Sequence, residues 1–317
     1  MESKRPSATP ERGTNRFAAG LILLAIHWWL AFLPIARPVA APSSVCADAP
    51  VVLVHPQVRS RDEHVIAQIV RGLRERTHAA VGVCSIEELP GSTLDSEGKA
   101  VVAVGENASA AATLIYNRAP VVPILVRQLP KETGSGISLF LDPNLYIQQL
   151  RALSPDVNVV TLIHRDDVPQ SFIDTVRAAA AAHRLRFEAI GVATLRDAAV
   201  VVETVVRQAG PQDGIWLQGR VIGMNADILL PKIVASSWER KVPVFTDEAD
   251  YVARGLLFAV THDYSDLGRS VADLIDSARQ GIRYANGVKT VLNGRTATAI
   301  GIFLPTSQEK EFDDVYK

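Results

Sequence analysis

VVLVHPQVRSRDEHVIAQIVRGLRERTHAAVGVCSI (51–86) reads as a strand, a helix and a second strand. VVLVH (51–55) and VGVCSI (81–86) are continuous apolar, β-branched runs without polar alternation, the pattern of strands buried on both faces of a parallel sheet. Between them, residues 62–77 place Val65, Ile66, Ile69, Val70 and Leu73 at helical spacing on one face. A strand, a crossover helix and a parallel strand make one unit of an α/β fold.

The same alternation continues outward. VVAVG (101–105), VVPILV (121–126), ISLFL (137–141), VNVVTLIH (157–164), LRFEAIGV (185–192), GIWLQG (214–219), VPVFT (242–246) and LLFAVT (256–261) are further strand candidates, and the alanine-rich 170–184 is a helix candidate. The expected architecture is α/β, with open, mostly parallel sheets and helices on both faces. RQLPKETGSG (127–136) interrupts the rhythm and is the expected first passage between two lobes; LLFAVTHDY (256–264) is the second. Ser265 is the expected N-cap of a helix over 265–281 closed by Gly281, and the polar tail 306–317 reads as a surface helix or a frayed end.

Residues 1–41 carry Lys4, Arg5, Arg12 and Arg16, an uncharged run from Phe17 to Ala36, and Val39-Ala40-Ala41 as a small-residue processing site. This reads as an export signal cut after Ala41, or as an uncleaved anchor, since about 20 residues also suffice to span a bilayer. Basic residues before the apolar run leave the remainder outside the cytoplasm, with a periplasmic location expected. The leader holds five of the 33 basic and two of the 34 acidic residues, leaving 28 against 32. A balance this weakly acidic, with no basic block, excludes general attraction to nucleic acid. The remaining length exceeds what one core usually fills, so two lobes are expected: 42–140 plus about 263–290, and 141–262, with 291–317 a C-terminal segment assigned to neither. Cys46 and Cys84 meet an oxidising compartment, where they either pair or stay as thiols. Lipidation of Cys46 would place Val45 where a small residue is needed.

In open α/β sheets ligands sit beyond the carboxyl ends of the strands. The candidate ligand-binding residues there are Gln57, Asn107, Ser109, Asp142, His164, Gln218, Thr246 and Asp247. Asn107 or Ser109 could cap a helix that follows Gly105 and leave N–H groups for a carboxylate, although Glu106 opposes an anion there. Asp247 follows a buried strand and either meets a ligand amine or caps the helix containing Tyr251. Phe140, Tyr146, Trp216 and Tyr264 are candidate walls. HRDD (164–167) has metal-compatible chemistry, but adjacent residues on a loop do not converge, so no metal site is expected. The chain has no Gly-x-Ser-x-Gly nucleophile elbow.

The closing third, KVPVFTDEADYVARGLLFAVTHDYSDLGRSVADLIDSARQG (241–281) and VLNGRTATAIGIFLP (291–305), resembles the ABC-transporter solute-binding proteins of the aromatic amino acid-binding type. Pro243-Val244-Phe245, Tyr251-Val252, Gly255, Asp263-Tyr264, Leu267-Gly268-Arg269, Asn293, Thr296-Ala297 and Ile300-Gly301 carry the likeness. LDPNLYIQQLRALSPDVNVVTLIH (141–164) resembles the family's hinge, helix, turn and strand. The resemblance implies a two-lobed type I periplasmic-binding fold, no cofactor, no catalysis, and a membrane permease and ATPase as partners of a monomer. It implies capture of a small polar solute, an amino acid or a related compound. The alternative is a sensory or accessory module serving a membrane sensor or an outer-membrane receptor.

Overall fold

The structure, a computed structural model, describes residues 48–90, 92–128, 134–275 and 281–317. The expected signal, its processing site and Cys46 lie outside these residues, as does any pairing of Cys46 with Cys84. The strands and helices of the amino-terminal part are β1 (Val51–His55), α1 (Glu63–Thr77), β2 (Val81–Ser85), β3 (Ala100–Val104), α2 (Gly105–Ile115), β4 (Val121–Val126) and β5 (Ser135–Ser138). Next come α3 (Pro143–Leu153), β6 (Val159–Arg165), α4 (Gln170–Ala182), β7 (Arg186–Val192), α5 (Leu195–Gln208), β8 (Asp213–Leu217), α6 (Gly219–Ile222), α7 (Ala226–Arg240), β9 (Val244–Thr246), α8 (Ala249–Ala253) and β10 (Phe258–His262). The chain ends with α9 (Tyr264–Ile275), β11 (Gly281–Arg283), β12 (Val288–Asn293), α10 (Gly294–Ala299), α11 (Thr306–Glu309) and β13 (Asp314–Tyr316).

These strands form two sheets, β2-β1-β3-β4-β5-β11 and β7-β6-β8-β9-β10-β12-β13. Every pairing is parallel except β10 with β12. The fold is therefore the expected α/β architecture of two lobes with mostly parallel sheets. Both sheets wind in the same sense, the first strand lying between the second and third, and each creates a switch point where strand order reverses.

The chain leaves the first sheet later than the composition of 127–136 suggested. That segment leads into β5, which still pairs with β4. Strand 137–141 stops at Ser138 because its Oγ accepts the Phe140 N–H, turning the chain out of the sheet. Residues 139–142 make the first crossing, the step from β10 into α9 the second, and 284–287 the third. β12 and β13 then join the second sheet, which takes in the segment 291–317. Ser265 does not cap α9: the Asp263 carboxylate accepts the N–H groups of Ser265 and Asp266 instead. An ionised acceptor at a helix N-terminus gains from the helix dipole, which favours Asp over Ser here. Strands β11, β12 and β13 were not legible because they are short or mixed in polarity, and the tail contributes a turn of helix and an edge strand.

The motif residues near the end have structural work. Asn293 caps α10 by accepting the Thr296 N–H and donates its amide to the Val252 carbonyl. Thr296 Oγ donates to the Gly255 carbonyl. Gly255 has φ of 117°, and a Cβ there would press on Val234 at 2.8 Å, so both backbone and packing require glycine.

Helix α9 returns across the lobes to pack against α1. The two approach backbone to backbone at Gly72 and Gly268: a Cβ on Gly268 would overlap the Ile69 carbonyl and lie 2.9 Å from Leu73 N. Helix propensity alone favours alanine over glycine by about 0.5–1 kcal/mol. Gly268→Ala is nevertheless expected to destabilise the protein by about 1–3 kcal/mol in chemical denaturation, because the helices must separate. Ser270→Ala on the same helix should change stability little; equal effects from both would show that the close approach carries no constraint.

Candidate functional site

A cavity of about 90 Å³ opens between the two lobes. The first lobe reaches it through Leu125 on β4, and the crossing contributes Leu139, Phe140 and Leu141. The second lobe supplies Trp216, Gln218, Arg220, Asp247, Glu248 and His262, largely from the carboxyl ends of β8, β9 and β10. This is where strand-to-helix turns of an open sheet gather polar groups. Leu125 holds φ of 54° at a break in the β4–β5 register. Such a conformation in a non-glycine residue is strained, and strain of this kind concentrates at ligand clamps.

The wall is aromatic. Tyr146 stacks on Trp216 with centroids 4.1 Å apart, and Phe140 stacks on Phe172 at the same distance. Phe172 meets Trp216 edge-on at 6.3 Å, and Trp216 continues to Phe245. Tyr146 donates its hydroxyl to the Val260 carbonyl at 2.8 Å, satisfying its polar end. Phe140, Tyr146 and Trp216, read as candidate walls from the sequence, thus serve both as packing and as cavity lining.

Two polar atoms in this wall have no hydrogen-bond partner: Trp216 Nε1 and His262 Nδ1. Both residues are more than nine-tenths buried, at 2% and 9% exposure. His262 Nε2 lies 3.0 Å from the Leu139 carbonyl, which fixes it as the donor nitrogen and leaves Nδ1 as an acceptor. Burial pushes the His262 imidazole below its ordinary value, holding it neutral.

Asp247 sits on the same cavity. Its Oδ1 accepts the Gly219 N–H at the start of α6 and the Thr246 hydroxyl. It does not cap the Tyr251 helix: Glu248 occupies the N-cap position of α8, and its side chain makes no capping hydrogen bond. Burial pushes the Asp247 carboxyl up despite these donors. Tyr146 and Tyr264 are raised by burial first and then by the negative charge of Asp247 and Glu248. Gly219 is required by this arrangement, because a Cβ there would overlap Glu248 and lie 2.9 Å from Asp247 Oδ1.

A chain of alternating charges bridges the lobes beside the cavity. Arg127, just after β4, takes Glu106 at 3.1 Å on its own lobe and Asp167 at 2.6 Å on the other. Asp167 also receives a two-pronged bond from Arg220, at 2.9 and 2.8 Å. Hydrogen bonding to Arg220 draws the Asp167 carboxyl below its ordinary value. Burial pushes Glu106 up, but the backbone N–H and guanidinium of Arg127 outweigh it and hold the carboxyl low.

Of the candidate ligand-binding residues, Gln218 and Asp247 line the cavity, and Tyr264, the fourth candidate wall, lines it too. Gln218 is buried and its Oε1 accepts the Arg165 N–H at 3.3 Å. Thr246 is buried directly behind Asp247. Asp142 caps α3 by accepting the Asn144 N–H, and His164 Nδ1 bonds locally to the Arg165 carbonyl. Gln57 and Asn107 are exposed outside the lining, and Ser109 is buried inside α2 with its hydroxyl unpartnered. The helix end proposed for a ligand carboxylate holds Glu106 instead. Sequence reading missed His262, Phe172 and the Arg127–Asp167 pair. An isolated histidine inside VTHDY gave no signal, and two charges 40 residues apart become neighbours only across the lobes. Cys84 is fully buried on β2. No group of acidic, histidine or cysteine residues among the described residues could hold a metal ion, and no described helix is long and apolar enough to cross a membrane.

No curated protein sequence matches the chain. Among solved structures it is similar to an ABC domain from Streptococcus pneumonia in complex with L-Trp, at 16% identity, covering 84% of this chain and 99% of that one, TM-score 0.57. It is also similar to a ligand-free, open substrate-binding protein with adhesive properties from Clostridium difficile, at 13% identity with 84% and 99% covered, TM-score 0.60. A conserved domain protein from Vibrio cholerae aligns at 14% identity with 84% and 98% covered, TM-score 0.56. These likenesses establish the two-lobed fold of periplasmic binding proteins. The sequence family described as ABC transporter substrate binding protein matches residues 120–308, more than half of the chain, from β4 through β12. The chain therefore belongs to the ABC transporter substrate-binding protein family.

Proposed function

We propose that this protein is the exported, periplasmic solute-binding component of an ABC transporter, which captures a small amine-bearing molecule between its lobes and presents it to a permease. The carrying observation is the interlobe cavity, where residues of both lobes, two unpartnered polar atoms and a burial-stressed carboxylate meet. The proposed contacts are Gln218 and Asp247, with Thr246 supporting the latter. A solute touching both lobes favours the closed form by its difference in affinity between the two states. The test is thermal unfolding of the purified protein against amines, amino acids, aromatic acids, small peptides and sugars. A ligand at about 100 times its dissociation constant adds about 2.7 kcal/mol, several degrees for a protein of this size; no rise across the panel would count against solute capture.

Asp247 gives a sharper expectation. Its folded pKa is raised above 3.8, so its contribution is full below that value and is lost as pH rises through the folded pKa. Ionisation of Asp247 thus costs the empty protein stability. Asp247→Asn keeps an acceptor for the Gly219 N–H and removes the charge. The melting temperature at pH 7 should stay level or rise while affinity for an amine falls about tenfold or more, near 1.4 kcal/mol. A fall in melting temperature with unchanged affinity would make Asp247 a structural residue.

The Arg127–Asp167 ion pair is the expected latch between the lobes. Partly exposed pairs are worth about 0.2–1 kcal/mol each and weaken in salt. Asp167→Asn should increase the radius of gyration of the ligand-free protein in low-salt X-ray scattering, and about 1 M salt should produce the same change in the unsubstituted protein. Identical scattering in all three cases would show that these charges do not set the lobe equilibrium.

A further inference from the structure

The cavity's hydrogen-bonding and charge inventory says more about the solute than that it is an amine. Among the described residues lining the cavity, Arg220 is the single permanent cation, and both of its terminal nitrogens bind Asp167. Arg127 nearby is committed to Glu106 and Asp167. The start of α2, the other natural anion site on this side, holds the Glu106 carboxylate, which its own backbone N–H also supports. A carboxylate entering the cavity would meet Asp247 while Arg220, the one cation of the lining, is already bound to Asp167, and burying such a charge unpaired is costly.

The unpartnered atoms specify the remainder. His262 Nδ1 is an acceptor in want of an N–H or O–H donor, and Trp216 Nε1–H is a donor in want of an acceptor; Asp247 already accepts the Gly219 N–H and the Thr246 hydroxyl and brings an acidic group to the same lining. The rings of Phe140, Tyr146 and Phe172 add apolar surface beside the polar Gln218 and Thr261. We infer that the solute is a small organic cation lacking any acid group: an amine whose N–H groups meet Asp247 and His262 and which carries a hydroxyl or carbonyl oxygen for Trp216. This rests on the solute-capture reading above and narrows it, away from amino acids.

The test uses matched pairs that differ by one carboxylate: ethanolamine and serine, tyramine and tyrosine, agmatine and arginine, putrescine and ornithine. Each is titrated calorimetrically into the purified protein. At least one amine should bind tenfold or more tightly than its parent acid. Equal or tighter binding of the parent acids would overturn the inference while leaving solute capture intact. Silence from all eight compounds would also overturn it, and sugars, peptides and aromatic acids in the thermal panel would then report whether capture itself survives. Trp216→Phe retains the ring and removes the N–H. It should abolish the preference for ethanolamine over ethylamine, or for tyramine over phenethylamine, whichever pair binds; an unchanged preference would sink the role given to Trp216. Melting curves of Trp216→Phe and Asp247→Asn confirm that each variant is folded before binding is compared.

Discussion

The bond between His262 Nε2 and the Leu139 carbonyl ties the first two crossings of the chain together, and the arrangement of the lobes depends on it. Leu139 begins the exit from the first sheet, held by its own N–H on the Val126 carbonyl; His262 ends β10 of the second sheet. The third crossing joins them where the Asp263 N–H meets the Gly287 carbonyl. Crossings held side by side in this way restrict the lobes to rotation about a short segment. The same histidine lines the cavity and has no partner for its other nitrogen, so one neutral imidazole serves the hinge and belongs to the proposed site. Burial keeps it neutral, which is what both roles need.

The polar groups around the cavity are under tension that the protein does not relieve by itself. Asp247 is half-buried and bonded to the neutral Gly219 N–H and Thr246 hydroxyl, while Arg127 and Arg220, the cations nearby, form their ion pairs with Glu106 and Asp167. A carboxylate kept away from a nearby cation, and a tryptophan N–H left without an acceptor, lower the stability of the empty protein. Sites poised for a ligand commonly carry such costs, because the ligand then binds a group that has nothing better to exchange. The charges on the cavity's flank work differently: they are satisfied within the protein and act between lobes rather than on a solute.

The last third of the chain explains why a resemblance could be read from sequence at all. Asn293, Thr296 and Gly255 are joined by hydrogen bonds that close α10 onto the turn before β10, and Gly268 allows α9 to lie against α1. These positions accept few residue types for reasons of backbone geometry and packing, so they are recognisable when the surrounding sequence has drifted. Such residues mark the scaffold. They carry little information about which solute is bound.

The sequence by itself determined the α/β class, the alternation of buried strands with helices, and the presence of polar turns after β8 and β9, because strand burial and helix amphipathicity are written in local periodicity. It also supplied Gln218 and Asp247, since a polar residue directly after a buried strand has few other places to go. Only the tertiary structure decided where the chain crosses between sheets, that β12 and β13 extend the second sheet, and that His262, Phe172, Arg127 and Asp167 stand around one cavity. Those outcomes depend on contacts between residues far apart in the chain. A local pattern shows that a side chain will be buried or charged, whereas the partner it meets, or lacks, is fixed only when the two lobes are packed.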